Sequence, residues 1–437
     1  MKNTRMLLAG MVISSIAWSN AGYADSLSKV LVKALSEHPQ AQAARSRLLA
    51  RQESVKAAKA SYFPTLALTT GIGQQRKGSE GDTSENNNVL KVRKEASLAI
   101  RQNLFSGFGT ISAVQNAEKQ AMAEQWRLRN TYDELALRVI DVYLKVLERR
   151  DQLELAEKNL KLHHEIYEQI KQRTAQGVAR QSDLAQIEGR RARANANIIS
   201  ARNNLMDSES EYFSLVGVEA KNLEQPGSYN LPLPGSLEEA LQVAKANNPG
   251  LKAAELDTRS ARDQYKELRA AHFPTLDFEM DRSWRHNADG ALGVGNDMVA
   301  MLRMRYNLFN GGGDQARLQE SAYKVEENLA QKERAMRSME ERLRIAWAAL
   351  MLTGQQKHFL ALHEKSSEET VAAYQEQFNI GKRTLLDLLD GENELFQSSG
   401  SLISAVYQEA FARYRVLAET GRLLGVLNIT VGDGTAD

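Results

Sequence analysis

Asp387 and Asp390 stand three residues apart in NIGKRTLLDLLDGENELF, Asn379–Phe396. That spacing places two carboxylates on one face of a helix. Taken alone, such a pair most often lies on a solvated face. Other candidates for chemistry fall away. His163-His164-Glu165 lacks the second histidine at helical spacing that a zinc site needs, so these read as surface histidines on a helix. GFGTIS (Gly107–Ser112) and GGGDQA (Gly311–Ala316) are glycine-rich and precede helical sequence, but no Walker lysine is present. They suit strand-to-helix turns, where glycine relieves backbone strain. No nucleophile–base pair is evident, and the chain contains no cysteine, which removes a thiolate site and a disulfide framework. The reading is of a non-enzyme with no metal and no cofactor.

Everything around these residues concerns placement. The chain has 437 residues, 42% hydrophobic and 25% charged, with a net charge of +1. Nothing in this balance supplies the basic stripe of a nucleic-acid partner. Lys2 and Arg5 precede the apolar run Met6–Ala17, and Gly22-Tyr23-Ala24 offers small residues for cleavage, so residues 1–24 read as a secretory signal peptide. About a dozen apolar residues are too few to span a bilayer. Without a cysteine, no lipid anchor is expected at a mature N-terminus.

The remainder is written twice. NLFSGFGT (Asn103–Thr110) returns as NLFNGGGD (Asn307–Asp314), 204 residues on. YFPTL (Tyr62–Leu66) returns as HFPTL (His272–Leu276) at an offset of 210, and Gly177 and Asp183 return as Gly381 and Asp387. The expected units are 25–225 and 236–427. Between them lies a Pro- and Gly-rich linker at 226–235, and 428–437 forms a tail.

Of the seven prolines, none falls in 110–225 or 314–437. These stretches are rich in good helix formers. From Leu135 through Val139, Val142 and Val146 to Tyr167 and Ile170 the spacing steps by four and three, a coiled-coil seam. Helices are expected over Ser26–Ala60, Thr110–Gln176, Val178–Val216 and Asp314–Ile380. The longest would reach about 100 Å, which predicts a rod with Gly177 and Gly381 turning the chain at its tips.

Between FPT and NLF the period becomes two. Leu276, Phe278, Met280 and Trp284 alternate with Asp277, Glu279, Asp281, Ser283 and Arg285. Ala300, Leu302, Met304, Tyr306 and Leu308 alternate with Met301, Arg303, Arg305 and Asn307. Leu66, Leu68 and Ile72 form one row of the first copy; Ala96, Leu98, Ile100 and Leu104 form another, against Glu95, Ser97, Arg101 and Asn103. Strands of about ten residues with one charged row suit a membrane barrel with a wet interior. The loops are expected around Arg76–Asn88 and His286–Asp297. Phe63, Phe105, Phe273 and Phe309 fall at one end, like an interfacial girdle. Four strands cannot close alone, and an open edge in lipid leaves backbone groups unpaired. Three chains would give twelve strands and an aqueous lumen, lined by Glu95, Arg101, Asp277, Glu279, Asp281, Arg303 and Arg305.

This frame resembles the TolC family of outer-membrane ducts, from about Leu27 to Leu427. The resemblance rests on the duplicated FPT…NLF frame, on Asn379–Phe396, which is similar to the family's second periplasmic turn, and on GVARQSDLAQ (Gly177–Gln186), which looks like the first. It implies a homotrimer in outer-membrane lipid, with helices crossing the periplasm. A periplasmic adaptor (membrane fusion) protein and an inner-membrane ABC or proton-driven transporter would dock at the tip turns of Gly177 and Gly381. It implies that Asp387 and Asp390 ring the entrance, six carboxylates in a trimer, favouring cations and repelling anions. It also implies a closed-state network at Arg383, Asp183 and Ser182, with Phe378 where the family has a tyrosine and hence one hydrogen bond fewer.

The function expected is an export duct, most simply the exit of type I protein secretion; small-molecule efflux is the alternative. A secreted coiled-coil structural protein would explain the helices but not the charged alternating strands, and a periplasmic enzyme has no catalytic constellation behind it.

Overall fold

The computed structural model describes residues 26–76, 78, 89–226, 231–289 and 292–429. The expected signal peptide, much of the first hairpin loop, and parts of the linker and tail lie outside the described residues. One order of elements occurs twice: α1 (Leu27–Glu37), α2 (Pro39–Ala60), β1 (Thr65–Arg76), β2 (Leu90–Ser106), α3 (Gly109–Ala175) and α4 (Gln181–Val216), then α5 (Leu237–Asn247), α6 (Pro249–Arg269), β3 (Thr275–His286), β4 (Val294–Arg305), α7 (Gly313–Asn379) and α8 (Leu385–Glu419), with a short α9 (Leu423–Val426).

The single helix expected over Ser26–Ala60 is two. His38 is extended and its Nδ1 accepts the Gln40 amide at 3.1 Å, with Pro39 at the first helical position. Proline lacks the N–H that would carry the ladder through, so the chain breaks and restarts. Asn248-Pro249 does the same between α5 and α6, its side chain capping Leu251. The long helices end where glycine allows. Gly177 has φ +73° and Gly381 φ +75°, left-handed values that cost L side chains about 1–2 kcal/mol. Each of α3 and α7 has 67 residues, about 100 Å.

Three apolar clusters hold the helices. Leu31, Leu35, Leu135, Ile140, Tyr143 and Leu417 join α1, α3 and α8. Ala240, Met339, Leu343 and Val416 join α5, α7 and α8. Ile166, Ile170, Ile187, Phe378, Leu388 and Leu389 lock the two helical tips together.

The strands form one antiparallel sheet, β1-β2-β3-β4. They run 12, 17, 12 and 12 residues, longer than expected. A bulge between Asn103 and Phe105 leaves Leu104 without a partner on β3, so Leu104 breaks the row assigned to it. β4 begins at Val294 and ends at Arg305. The second loop is therefore shorter than His286–Asp297, and Tyr306 and Leu308 lie past the strand. Among the described residues β4 has a neighbour on one side only, so its outer edge is unpaired within the chain.

Candidate functional site

The register settles which strand residues share a face. Asp277 stands opposite Asn103 and Arg303, Glu279 opposite Arg101 and Met301, Asp281 opposite Ala99 and Val299, and Glu95 opposite Arg285. Partners across a ladder project to one side, so Glu95, Arg101, Asp277, Glu279, Asp281, Arg303 and Arg305 form one polar face. Four of its charges, Asp277, Glu279, Arg303 and Arg305, pair with each other. Arg303 Nε donates to Glu279 at 2.7 Å, Arg305 to Asp277 at 2.8 Å and also to Glu279, and the Asn103 amide donates to Asp277 at 2.8 Å. The other face carries Leu66, Leu68, Ile72, Leu302 and Met304, all exposed in the single chain. One polar face and one apolar face is the pattern of a strand between lipid and lumen. Among the described residues no helix is long and apolar enough to cross a membrane.

At the junction of sheet and helix, Phe105, Phe108 and Phe273 stack edge to face, with ring centroids 5.3 and 6.3 Å apart. Phe108 lies outside the girdle expected from the sequence. It caps α3 at φ 69°, and its ring contacts offset a left-handed backbone.

At the tips, α8 starts with a capping box. Thr384 Oγ accepts the Asp387 amide at 3.2 Å, while the Asp387 carboxylate accepts from the Thr384 hydroxyl at 2.8 Å and its amide at 3.3 Å. These bonds, with the Arg383 charge adding, hold the Asp387 carboxyl below the usual carboxylate range. Asp390 accepts from Arg190 of α4 at 2.6 Å. Each aspartate thus has a cationic neighbour inside its own chain, since Arg383 stands 3.9 Å from Asp387.

Motif reasoning misses Arg190, although the sequence carries a signal for it. At the offset of 204, Gln186 and Arg190 match Asp390 and Glu394, so the two copies carry opposite charge at one register.

The Arg383 guanidinium lies over the Tyr374 ring at 4.1 Å and donates to Gln377 at 3.0 Å. Among the described residues no hydrogen bond or ion pair joins it to Ser182, which is exposed, or to Asp183, which is half-buried. Phe378 is buried in the tip core with Arg173 over its ring at 5.3 Å. His163 is not a surface residue. It is buried, its Nδ1 has no partner among the described residues, and burial, with the Arg190 charge adding, pushes its pKa down.

The family model described as "Outer membrane efflux protein" matches residues 30–218 and 240–422. The chain belongs to that family. Its TolC-like members include the outer membrane efflux protein BepC of Brucella suis, 26% identical over 426 residues, covering 96% of this chain and 89% of that one. The alkaline protease secretion protein AprF of Pseudomonas aeruginosa is 24% identical over 424 residues, covering 92% and 87%. A crystal structure of a membrane protein from Pseudomonas aeruginosa shares the fold with a TM-score of 0.80 at 19% identity, covering 90% of each chain. As a family member, this chain is a subunit of a trimeric outer-membrane duct whose helices stand in the periplasm, and it is not an enzyme.

Proposed function

We propose that this duct is the exit of a type I protein secretion system, taking its energy from an inner-membrane transporter through a periplasmic adaptor at the Gly177 and Gly381 turns. The observation that carries this reading is the polar strand face. Asp277 and Glu279 are paired there with Arg303 and Arg305. A wet wall with little net field suits an extended polypeptide of mixed charge better than it suits an apolar solute. The likeness to a relative named for alkaline protease secretion supports it. Small-molecule efflux is the second reading, favoured by the likeness to a relative named as an efflux protein.

In the same proposal Asp387 and Asp390 ring the entrance. Arg383 reaches Ser182 and Asp183 of a neighbouring helix pair in the closed trimer, giving up Gln377 to do so.

Mass spectrometry of culture-fluid and surface proteins from wild-type and deletion strains tests the cargo. Loss of one large protein with drug sensitivity unchanged is the expected result. An unchanged protein profile with new sensitivity to bile salts or antibiotics would transfer the reading to efflux.

A further inference from the structure

Above the tips, α3, α7 and α8 line a solvent-open cavity of about 530 Å³, a size that holds a small organic molecule. Leu155, Leu162 and Phe396 supply apolar wall. The charge around it is one-sided: Asp151 and Glu154 from α3, Glu364 and Glu368 from α7 and Glu392 from α8, against Lys158 of α3. Several of these acids are engaged. Glu154 pairs with Lys158 at 2.8 Å, Asp151 accepts the Tyr407 hydroxyl at 2.6 Å, and Glu364 accepts the Ser399 hydroxyl at 3.0 Å.

Glu392 differs. It is 6% exposed, lines the cavity, and makes no hydrogen bond or ion pair among the described residues. A buried carboxylate without a partner is costly in its charged form, and burial pushes its pKa up to about 7. A cation in the cavity would remove that cost. A bare metal ion does not suit the site, because no group of three or more His, Cys, Asp or Glu side chains among the described residues could hold one. Apolar walls, an aromatic ring and one deeply buried acid suit a flat cation whose charge is spread over a ring system.

We propose that the cavity between α3, α7 and α8 binds a planar aromatic organic cation, with Glu392 as its counter-ion and Phe396 against its face. The site is separate from the strand face and does not depend on which cargo the duct carries.

Ethidium, titrated into the full-length protein in neutral detergent at pH 8 and followed by fluorescence, tests this. Saturable binding is expected, weakened at least about tenfold by Glu392→Gln, which keeps the side-chain shape. Phe396→Leu should weaken it about threefold. Glu369→Gln, an exposed acid elsewhere on α7, should leave it unchanged. Wild-type affinity should fall roughly tenfold from pH 8 to pH 6 as Glu392 takes up its proton, and the Glu392→Gln variant should lose most of that dependence. Equal affinity in wild type and Glu392→Gln, or no saturable binding to either, overturns the proposal. Should Glu392→Gln fail to fold, the wild-type pH profile and Phe396→Leu decide: a flat profile with no loss on Phe396→Leu also overturns it.

Discussion

Helices α3 and α7 have the same length and the same place in their repeats, yet they are buried differently. α3 packs against α1, α2, α4, α6 and α8, whereas α7 packs against α5, α6 and α8. On α3 the positions Leu135, Val139, Ile140, Tyr143 and Val146 are sealed by the chain itself. On α7 the positions Ile345, Leu352 and Phe359, spaced by seven, are at least half exposed. The same contrast holds at the turns before them. An added Cβ at Gly107 would meet the Phe273 Cβ at 2.6 Å and the Ala270 carbonyl oxygen at 2.7 Å, while at Gly311 and Gly312 it would meet nothing within 4 Å among the described residues. The first copy is finished by the second. The second copy is left open, and the element that would finish it is the first copy of another chain. By the offset of 210, Ala60 and Phe63 of that chain would stand where Ala270 and Phe273 stand here.

The two glycines break or sharpen this most directly. Gly107 has φ +62° and no room, so Gly107→Ala should cost about 3 kcal/mol or more and fail to yield folded protein. Gly311 has φ +54° and open space in one chain, where alanine would cost only about 1–2 kcal/mol. If another chain fills that space, Gly311→Ala should also abolish the trimer on a semi-native gel. A Gly311→Ala protein that stays trimeric would mean the two turns are not equivalent.

The exposed rows give the next test. Ile199, Met206 and Phe213 on α4 are exposed and also spaced by seven. Counted from the tips at 1.5 Å per residue, this row and that of Ile345, Leu352 and Phe359 both lie about 30–50 Å up. Adjacent chains should therefore zip α4 onto α7, with Met206 beside Leu352. Leu352→Glu would forfeit roughly 1.5–3 kcal/mol of burial per chain and reduce the trimer fraction. The chain has no native cysteine, so Met206→Cys with Leu352→Cys should cross-link chains on a non-reducing gel. Only monomers under oxidising conditions would refute the pairing.

At the tips the contrast is electrostatic: Gln186 and Arg190 in one copy, Asp390 and Glu394 in the other. The Arg190–Asp390 pair is partly exposed and contributes roughly 0.2–1 kcal/mol, but in the proposed entrance ring it would also set the local field. Arg190→Ser should leave Asp390 uncompensated and raise cation selectivity in a planar bilayer. Arg383→Ser should instead raise leak conductance. If the two variants behave alike, the division between ring and latch is wrong.

These contrasts also mark how far the sequence can be read. The ends of α3 and α7 are legible to within one residue, because proline-free helix formers run up to a glycine that must turn. The charged strand face is legible because alternation survives without knowing the partners. The break at His38-Pro39 is written in the sequence, but a helical pattern on both sides of the proline hides it. Tyr306 and Leu308 continue the alternation of β4 yet form no strand in one chain, since the ladder with β3 ends at Thr275, opposite Arg305, and leaves them nothing to pair with. Arg190 and Tyr374 escape motif reasoning because their meaning lies in contacts across helices, Arg190 with Asp390 200 residues away. Phe378 reads as a gate position that has lost a hydroxyl; that its ring also packs into the tip core is not legible from the motif.

The smallest expected effect lies within α3. Asp133 is buried and, among the described residues, neither carboxylate oxygen has a partner. Burial pushes its pKa up to about 7. The position 204 residues on is Arg337, an exposed side chain on α7. Below about pH 4 Asp133 is protonated in folded and unfolded chains alike. Between pH 4 and 7 only the unfolded chain gives up the proton, so stability falls as pH rises, and above 7 the full penalty is present. Asp133→Asn should therefore raise the melting temperature by a few degrees at pH 8 and leave it nearly unchanged at pH 4, with Arg337→Gln changing neither. Because α3 is sealed by its own chain, the gain should persist in the Leu352→Glu background, where the trimer is weakened. A gain that disappears there would mean that another copy, and not this chain, buries Asp133.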